Sequence, residues 1–382
     1  MAGVFADVVV VGGGAIGLTS AWFLARSGFK VVLLDQDQLG KAASWAGAGI
    51  VPPGCPDLAQ SPMDKLRAWG SRLHPQLHQE LLDLTGIDNG YRVCGGLELL
   101  AHGDEPDSRR VAGWRQENLE FRFLDGPSIG GMIAGVAGDV LRGIHFPEMA
   151  QIRNPRHIRA LIQACVQHHV GLMSRSPIAQ FDTKDDRVVS LVTEDGRVIH
   201  FGSILFAMGA WTSTLCAKPF YFPVEIEPIR GQMIQVLIPE SIAWPILEQG
   251  KQYLVPRGDG LVLVGSTEEA VGFDATTSEE GIQSLRDFLG QLLPDWKDLE
   301  PIRSWAGLRP FAVRGIPFIG PMPGFQNAFI NAGHFRWGLQ FSPRAAQMAV
   351  DLIQGDGPSL ADSRAFRVDA PADPGGPKLF SS

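Results

Sequence analysis

The stretch Asp7–Gly17, DVVVVGGGAIG, decides the fold of this chain. Its run of β-branched valines predicts a strand that is buried on both faces of a parallel sheet. The pattern G-x-G-x-x-G follows over residues 12–17, and helical spacing continues through Leu18–Arg26. A second apolar run, Val31–Leu34, ends at Asp35. Strand, glycine turn, helix and strand in this order predict a βαβ unit that binds a dinucleotide.

The glycines of this unit have a physical task at each position. They allow a tight turn, a close approach of the backbone to a pyrophosphate, and close packing of helix on strand, while the helix N-terminus faces the phosphates. The carboxylate of Asp35 is placed to accept a hydrogen bond from the adenosine ribose and excludes a 2′-phosphate. A purely structural glycine turn is the alternative. The predicted contacts are Gly12, Gly14, Ala15, Ile16, Gly17, Asp35 and Gln36.

The segment Ala42–Ile50, AASWAGAGI, favours FAD over NAD as the dinucleotide. Small side chains just after the second strand let the backbone approach a bulky cofactor, and Ser44 can donate to a phosphate. A nicotinamide enzyme has no evident need for such a run, although a tightly packed Ala/Gly loop would also explain it. The predicted contacts are Ala43, Ser44, Gly47, Ala48, Gly49 and Ile50.

Composition bounds the class of protein. The chain has 382 residues, 45% hydrophobic and 19% charged, which is enough to bury a large core and predicts two or three domains. Glycine contributes 45 of the 382 residues, so its share is well above the usual share of about 7%. A net charge of −8 argues against nucleic-acid binding.

Cysteine usage and hydropathy predict a soluble cytoplasmic protein without a metal site. The 4 cysteines are far apart and form no C-x-x-C pair, so neither a zinc site nor a disulfide framework is expected. The first apolar run ends in glycines, which would break a signal helix. No stretch approaches the ~18 apolar residues that a membrane span needs.

The rest of the chain predicts one discontinuous domain with another inserted into it. Helical spacing covers Met63–Leu84, Pro155–His169 and Thr277–Leu293. The turn Glu194–Gly196 predicts a hairpin over Val188–Phe201, followed by a separate short strand over Ser203–Ala207, and alternating strands fill Glu225–Gly265. The fold class is therefore α/β, with two domains. We expect residues 1–85, 146–220 and 301–367 in a cofactor domain, 86–145 and 221–300 in a substrate domain, and 368–382 in a flexible tail.

Four further motifs carry a family resemblance: Gly209–Trp211 (GAW), Tyr253–Arg257 (YLVPR), Trp305–Pro310 (WAGLRP) and Gly333–Gly338 (GHFRWG). With the N-terminal fingerprint, they make the chain similar to the D-amino-acid oxidase superfamily of FAD enzymes over residues 6–368, and within it to the glycine oxidases of thiamine biosynthesis. The resemblance implies a Rossmann-like FAD-binding domain of glutathione-reductase type with an inserted antiparallel-sheet substrate domain. It also implies a homotetramer.

The resemblance implies that Arg309, Tyr253 and Arg336 are the catalytic residues and bind the substrate. Arg309 would hold the substrate carboxylate, for which its planar guanidinium is suited, and Tyr253 would be a second donor. From the sequence, Arg309 is expected beside a tight turn at Gly307, and Tyr253 just before a strand. An internal salt bridge for Arg309 and an edge position in the core for Tyr253 are the alternatives.

The resemblance also supplies the remaining FAD contacts. A helix predicted over Ser342–Ile353 would turn its N-terminus towards the negative charge of a reduced flavin. His334 is expected to belong to the flavin loop rather than to act as an acid or base. The implied contacts are Ile178, Ala207, Gly209, Trp211, Gly333, His334, Phe335, Arg336, Trp337, Gly338 and Leu339.

Two positions depart from the family pattern. Asp35 stands where the family mostly has Glu, and the shorter carboxylate still reaches a ribose. Glu268 falls where the resemblance implies an apolar wall of the substrate cavity. It is counted among the substrate-binding residues, although the sequence leaves open whether it faces the cavity or solvent. No Cys lies near Arg309–Gly320 and no His near Ser44–Ile50, so non-covalent FAD is expected.

The resemblance implies oxidation of a small amino acid by hydride transfer from Cα to flavin N5. The imino acid formed would hydrolyse to an oxo acid and ammonia, and O2 would reoxidise the flavin with release of hydrogen peroxide. Glycine is the expected substrate, with sarcosine and small D-amino acids as secondary ones. Two alternatives stay open: a dehydrogenase that passes electrons to a quinone or another acceptor, and a non-catalytic flavin subunit of a complex.

Overall fold

The computed structural model describes residues 4–100, 103–138, 142–215, 220, 224–238, 243–356 and 363–372. Most of the expected tail and one cysteine, Cys216, lie outside these ranges. No helix within them is both long and apolar enough to cross a membrane.

The described strands are numbered in chain order. They are β1 (Val4–Val11), β2 (Val31–Leu34), β3 (Ile50–Val51), β4 (Arg92–Val93), β5 (Gly96–Leu100), β6 (Arg122–Asp125), β7 (Arg142–Phe146), β8 (Ala150–Gln151), β9 (Gly171–Met173), β10 (Ile178–Lys184), β11 (Arg187–Thr193), β12 (Val198–Phe206), β13 (Ile226–Leu237), β14 (Ile246–Gln249), β15 (Gln252–Pro256), β16 (Leu261–Gly265), β17 (Arg303–Ala312), β18 (Phe318–Pro321) and β19 (Ala328–Ala332).

The described α-helices follow the same numbering. They are α1 (Ala15–Arg26), α2 (Ala43–Ala46), α3 (Pro62–Thr85), α4 (Ser108–Gln116), α5 (Gly126–Met132), α6 (Asn154–Gln167), α7 (Thr212–Leu215), α8 (Glu279–Leu292) and α9 (Gly338–Gln354). Short 3₁₀ turns cover Gly209–Trp211, Pro294–Trp296, Phe335–Trp337 and Ser363–Phe366.

The first sheet confirms the α/β fold and the predicted βαβ unit. Its strand order is β10-β11-β12-β1-β2-β9, with β19 beside β12 and β18 beside β19. The pairs of β1 with β2 and β12, β2 with β9, and β12 with β19 are parallel. The hairpin β11–β12 is antiparallel, as its turn predicts. The separate strand expected over Ser203–Ala207 is wrong, because these residues continue β12 into the parallel part of the sheet.

Both faces of the first sheet are covered, which explains its continuous apolar strands. On one face, Val8, Val10 and Leu33 pack with Trp22 of α1 and Leu161 of α6. Helix α9 packs against α1, and α3 packs against α9. On the other face, the alternate side chains of β1 and β2 join a second core cluster that includes members of β11, β12 and β19.

The second sheet forms a wall of the cavity described below. Its order is β17-β13-β16-β15-β14-β5-β7-β6, and the pair β5–β14 alone is parallel among these described strands. Helix α8 covers one face, where Leu285 and Leu289 pack with Ile234 and Val264. The opposite face turns towards the cavity. A small third sheet has the order β3-β8-β4.

Three local expectations are wrong. Gly307 lies inside β17 rather than in a tight turn, since a Cβ at this position would approach the Ala46 Cβ to 2.6 Å and glycine here permits close packing. Tyr253 lies within β15, as the alternating strands predicted over Glu225–Gly265 imply, rather than just before a strand. The last long helix begins at Gly338, ahead of the expected Ser342, and contains Pro343 in its interior.

The division into domains stays a prediction, although the sheets bear on its boundaries. Strand β17 pairs with β13 along its whole length and so belongs to the second sheet. The expected boundary at residue 301 would instead assign it to the cofactor domain.

The contact between α8 and the second sheet gives a stability prediction. We expect Leu289→Ala to lower the free energy of unfolding by about 2–5 kcal/mol, because this side chain is 1% exposed and its removal leaves a cavity. Ser284→Ala on the exposed face of the same helix is the control and should change it by less than ~0.5 kcal/mol. Denaturant unfolding measures both, and equal effects would contradict the packing described.

Candidate active site

A cavity of about 980 Å³ extends between the first sheet and the second. It is lined by every residue that the sequence and the resemblance assigned to cofactor or substrate, with two exceptions. Gly17 packs on the backbone of Gly12 instead, and Gly333 turns the chain with φ +82° while its α-carbon faces Ala312 and Ile226. These two glycines therefore lie behind the residues that line the cavity and permit the backbone conformation of its walls.

The glycine turn forms a concave backbone surface in which a side chain at Gly12 or Gly17 would collide with backbone. Gly12 has φ +109°, and a Cβ there would collide with the carbonyl of Ala207. A Cβ on Gly17 would collide with the carbonyl of Gly12. Gly14 is the N-cap of α1 and has no side chain to cap the helix. The backbone and the positive end of α1 thus face the cavity, which fits a bound pyrophosphate.

Asp35 and Ser44 bind the same turn from two sides. The amide of Gly13 donates to Asp35 Oδ2 at 2.7 Å, and that of Ala15 donates to Ser44 Oγ at 2.8 Å. Burial raises the pKa of Asp35, while amide donors from Asp37 and Gly13 oppose the rise. The carboxylate keeps acceptor sites for a ribose, and the Ser44 hydroxyl keeps its proton for a phosphate.

Helix α2 and the residues after it up to Ile50, together called the cofactor loop, are held by three side chains from distant parts of the chain. Asn154 Nδ2 donates to the carbonyl of Ser44 at 2.7 Å, and Trp305 Nε1 donates to that of Ala46 at 2.9 Å. Arg257 donates to the Ala48 carbonyl at 2.7 Å. These bonds fix the backbone that would approach a flavin.

Arg257 is a buried cation that binds the chain through uncharged acceptors. Besides the loop carbonyl, it donates to Gln151 Oε1 at 2.8 Å and to the carbonyl of Ile152 at 3.1 Å. Burial and, to a lesser extent, the charges of nearby Arg153 and Arg92 lower its pKa to about 9. The guanidinium therefore stays charged at neutral pH.

Strand β17 places Arg309 at the cavity. Trp305, Gly307 and Arg309 alternate along the strand and so point to the same face. The Arg309 guanidinium donates to Ser266 Oγ at 2.6 Å and to the Thr267 carbonyl at 3.1 Å. It lies over Gly231, where a Cβ would collide with it. Burial lowers its pKa, and nearby Tyr253 opposes that shift.

Tyr253 lies beside Arg309 in the same wall. Its ring packs over Gly265, the residue opposite it on β16, where a Cβ would come within 2.8 Å of the ring. Its hydroxyl is 3.8 Å from Met233 Sδ, a weak acceptor. The phenol therefore remains able to donate to a ligand on Arg309.

Arg336 is paired rather than open. Its guanidinium forms an ion pair with Glu268, and Lys251 Nζ lies 3.6 Å from the other carboxylate oxygen. Glu268 is 6% exposed and lines the cavity, so the alternative that it faces solvent is wrong. Arg336, which is expected to bind the substrate, is thus paired with a carboxylate whose orientation the sequence left open.

The segment before α9 closes the cavity on the far side. Phe335 has φ +48°, an unfavourable value for a non-glycine residue, and its ring packs on Phe311 at a centroid distance of 5.0 Å. His334 is 2% exposed, and burial lowers its pKa to about 3. A neutral imidazole agrees with a place in the loop rather than an acid–base role. No side chain caps α9, whose first residues line the cavity.

Comparison with known proteins agrees with this geometry. A family model described as "DAO: FAD dependent oxidoreductase" matches residues 7–352. The chain belongs to this family. It is 35% identical to a glycine oxidase of Pseudomonas aeruginosa over 355 residues, covering 92% of this chain and 96% of the relative. The glycine oxidase of Pseudomonas putida is 34% identical, with 93% and 96% covered.

The solved structures give the same result. The glycine oxidase of Geobacillus kaustophilus superposes with a TM-score of 0.89 at 26% identity, covering 95% of this chain and 98% of the other. The predictions of the family, of FAD as the cofactor and of an enzyme of the amino-acid oxidase type are confirmed.

Sequence reasoning missed several residues of this family member's site. Asn154, Arg257 and Trp305 donate to carbonyl groups of the cofactor loop. Arg257 and Trp305 lie within quoted motifs, but the motifs do not reveal these contacts. Glu248 and Glu98 face each other across β14 and β5 and line the cavity beyond Tyr253. Burial, together with the charge of Glu98, raises the pKa of Glu248 to about 7. Only the period-2 pattern of these strands could have indicated which side chains share that face.

The role of Arg257 gives a prediction about cofactor retention. Arg257→Lys should weaken FAD binding at least tenfold, because a compact ammonium cannot span the carbonyls that the guanidinium fork reaches. Loss of FAD absorbance on dialysis of the holoenzyme measures this.

The matched control is Arg314→Lys. Arg314 also binds carbonyl groups, those of Ile316 at 3.0 Å, Pro317 at 2.6 Å and Phe366 at 2.9 Å, but none of these belongs to the cofactor loop, whose Ala48 carbonyl binds Arg257. Both variants should lose about 1–3 kcal/mol of unfolding free energy. Equal retention of FAD by the two would show that Arg257 has no part in the cofactor site.

Proposed function

We propose that this protein oxidatively deaminates a small neutral amino acid to the oxo acid and ammonia, with reduction of O2 to hydrogen peroxide. Glycine is the favoured substrate, and sarcosine and small D-amino acids are secondary ones. The glycine oxidases reported above support this choice.

The observation that carries the proposal is that Arg309, a buried cation at the cavity, is bound by neutral oxygens in the described part of the chain. Its guanidinium has five N–H donors, and its hydrogen bonds in the described chain go to neutral oxygens of Ser266, Thr267 and Arg230. Within the described ranges, no carboxylate forms an ion pair with it. A buried cation that faces a cavity without an anionic partner is matched by a ligand carboxylate.

The chain's own residues then act mainly by orientation. Arg309 fixes the substrate carboxylate, and the phenol of Tyr253 adds a second donor. Holding one end of a small substrate in this way aims its Cα–H bond at a fixed place in the cavity. A bound FAD would supply the redox chemistry, as an acceptor for that hydrogen as hydride and a donor of the electron pair to the final acceptor. Water then hydrolyses the released imino acid.

The second candidate differs in the electron acceptor. A dehydrogenase of the same family would hold the substrate carboxylate with the same two residues, Arg309 and Tyr253, here called the clamp. It would pass electrons to a quinone rather than to O2. A non-catalytic flavin subunit would have no use for a buried carboxylate clamp, and the geometry of Arg309 and Tyr253 therefore disfavours it.

A steady-state panel under air tests the proposal. Glycine, sarcosine, D-alanine, D-proline and larger D-amino acids are offered in turn, with O2 uptake, peroxide and ammonia measured. We expect turnover of the small members, with peroxide and ammonia in equal amounts for glycine and D-alanine. Sarcosine should give peroxide and methylamine instead, and D-proline should give peroxide without ammonia because its imino product is cyclic. Turnover with an artificial electron acceptor but no O2 uptake would instead identify a dehydrogenase.

The clamp itself is tested with Arg309→Lys. Loss of the bidentate fork should raise KM for glycine about 100-fold, since each hydrogen bond between charged groups contributes about 1.5–3 kcal/mol. The FAD absorbance spectrum should be retained, which separates loss of substrate binding from loss of cofactor. A variant with unchanged KM would rule out Arg309 as the carboxylate site.

A further inference from the structure

Glu268 is the buried carboxylate of a three-membered ion cluster in the cavity wall. It comes just after β16, while Arg336 precedes α9 and Lys251 lies in the turn between β14 and β15. The carboxylate is 6% exposed, whereas Arg336 and Lys251 are 37% and 31% exposed. The acid is therefore enclosed and its two cations reach it from the cavity rim.

The cavity thus presents two guanidinium groups in different electrostatic states. Arg309 is held by the neutral oxygens of Ser266 and Thr267, and Arg336 is held by the carboxylate of the very next residue, Glu268. One short segment therefore leaves the first cation open for an anionic ligand and neutralises the second.

We propose that Glu268 is a specificity-determining residue that restricts the cavity to substrates with a single carboxylate. The inference rests on the proposed function and refines its substrate class. A second carboxylate on the substrate would have to bind Arg336 by displacing Glu268. That exchange would take Arg336 away from the buried Glu268 and leave Lys251, at 3.6 Å, as the remaining cation of the cluster, which is costly.

Two further features favour the same selection. Glu268 is fixed in place by the fold, so it competes with a ligand that must first be brought from solution. Farther along the wall, Glu98 is bound by Arg110 through two hydrogen bonds at 2.6 and 2.8 Å, and Glu248 lies beside it. Arg110 is therefore already paired with Glu98 and offers no open site to a second carboxylate at this part of the wall.

The test compares isosteric substrates that differ in one charge. D-Asparagine and D-aspartate are offered to the wild-type holoenzyme and to Glu268→Gln. The wild type should prefer D-asparagine, and the ratio of kcat/KM values should fall at least tenfold in the variant, since Arg336 becomes available to the second carboxylate. An unchanged ratio in an FAD-loaded variant overturns the proposal.

A binding measurement keeps this test independent of turnover. Malonate and its monoamide, malonamate, are titrated against the holoenzyme, and the flavin absorbance change reports binding. Glu268→Gln should increase the affinity for malonate relative to malonamate at least tenfold. If no amino acid is oxidised, the proposed function fails, but this titration still decides whether Glu268 excludes a second carboxylate.

The neighbouring residue offers a matched control. Glu269 also pairs with an arginine, Arg230, but it does not line the cavity. Glu269→Gln should therefore leave the malonate-to-malonamate ratio unchanged, and an equal shift in both variants would overturn the assignment.

Two more variants close the test. Glu268→Met keeps a side chain of similar length without the charge, and it carries the same expectation if Glu268→Gln does not fold. In Glu268→Gln/Arg336→Met, the gain in malonate affinity should disappear. Its persistence would show that Arg336 does not receive the second carboxylate and would overturn the proposal.

Discussion

The buried guanidinium of Arg257 is the interaction on which the geometry of the site depends. It follows β15 of the second sheet and donates to the Ala48 carbonyl of the cofactor loop and to the Ile152 carbonyl after β8. A strand that carries the substrate wall is thereby fixed to the loop that approaches the flavin. Arginine suits this task because its five donors reach several carbonyl groups at once, whereas lysine is a point charge. Bonds from Asn154 and Trp305 complete the same frame.

Because side chains alternate along a strand, the residues expected to contact cofactor and substrate lie on one face of the second sheet. Where backbone must come close to other groups, the face has glycine: Gly307 lies against Ala46, and Gly231 lies beneath the guanidinium of Arg309. Where polar groups are needed, the same face has Arg309 and Tyr253. The opposite face is apolar and packs on α8, so the sheet is rigid behind the site. The positions of Arg309 and Tyr253 are therefore stabilised by hydrophobic packing on the opposite face of the sheet.

Local sequence patterns predicted the fold well where all the residues that determine a structural element lie in one continuous segment. The valine run, the glycine turn and the acidic end of the second strand form a self-contained unit, and the structure confirms it. Glycine was misleading at Gly307, since glycine marks both turns and places of close packing, and the partner there, Ala46, is remote in the chain. The last helix begins at Gly338, four residues before the expected Ser342, and runs through Pro343.

By itself, the sequence determined the dinucleotide-binding unit, the family, FAD as cofactor and Arg309 as the candidate anchor for a carboxylate. These follow from short motifs whose residues are adjacent, so that backbone geometry and chemistry are encoded together. Only the tertiary structure decided that Arg309 lacks an acidic partner in the described chain while Arg336 has one in Glu268. The physical reason is that an ion pair depends on the distance and burial of groups from separate segments, and neither quantity is contained in any one stretch of sequence.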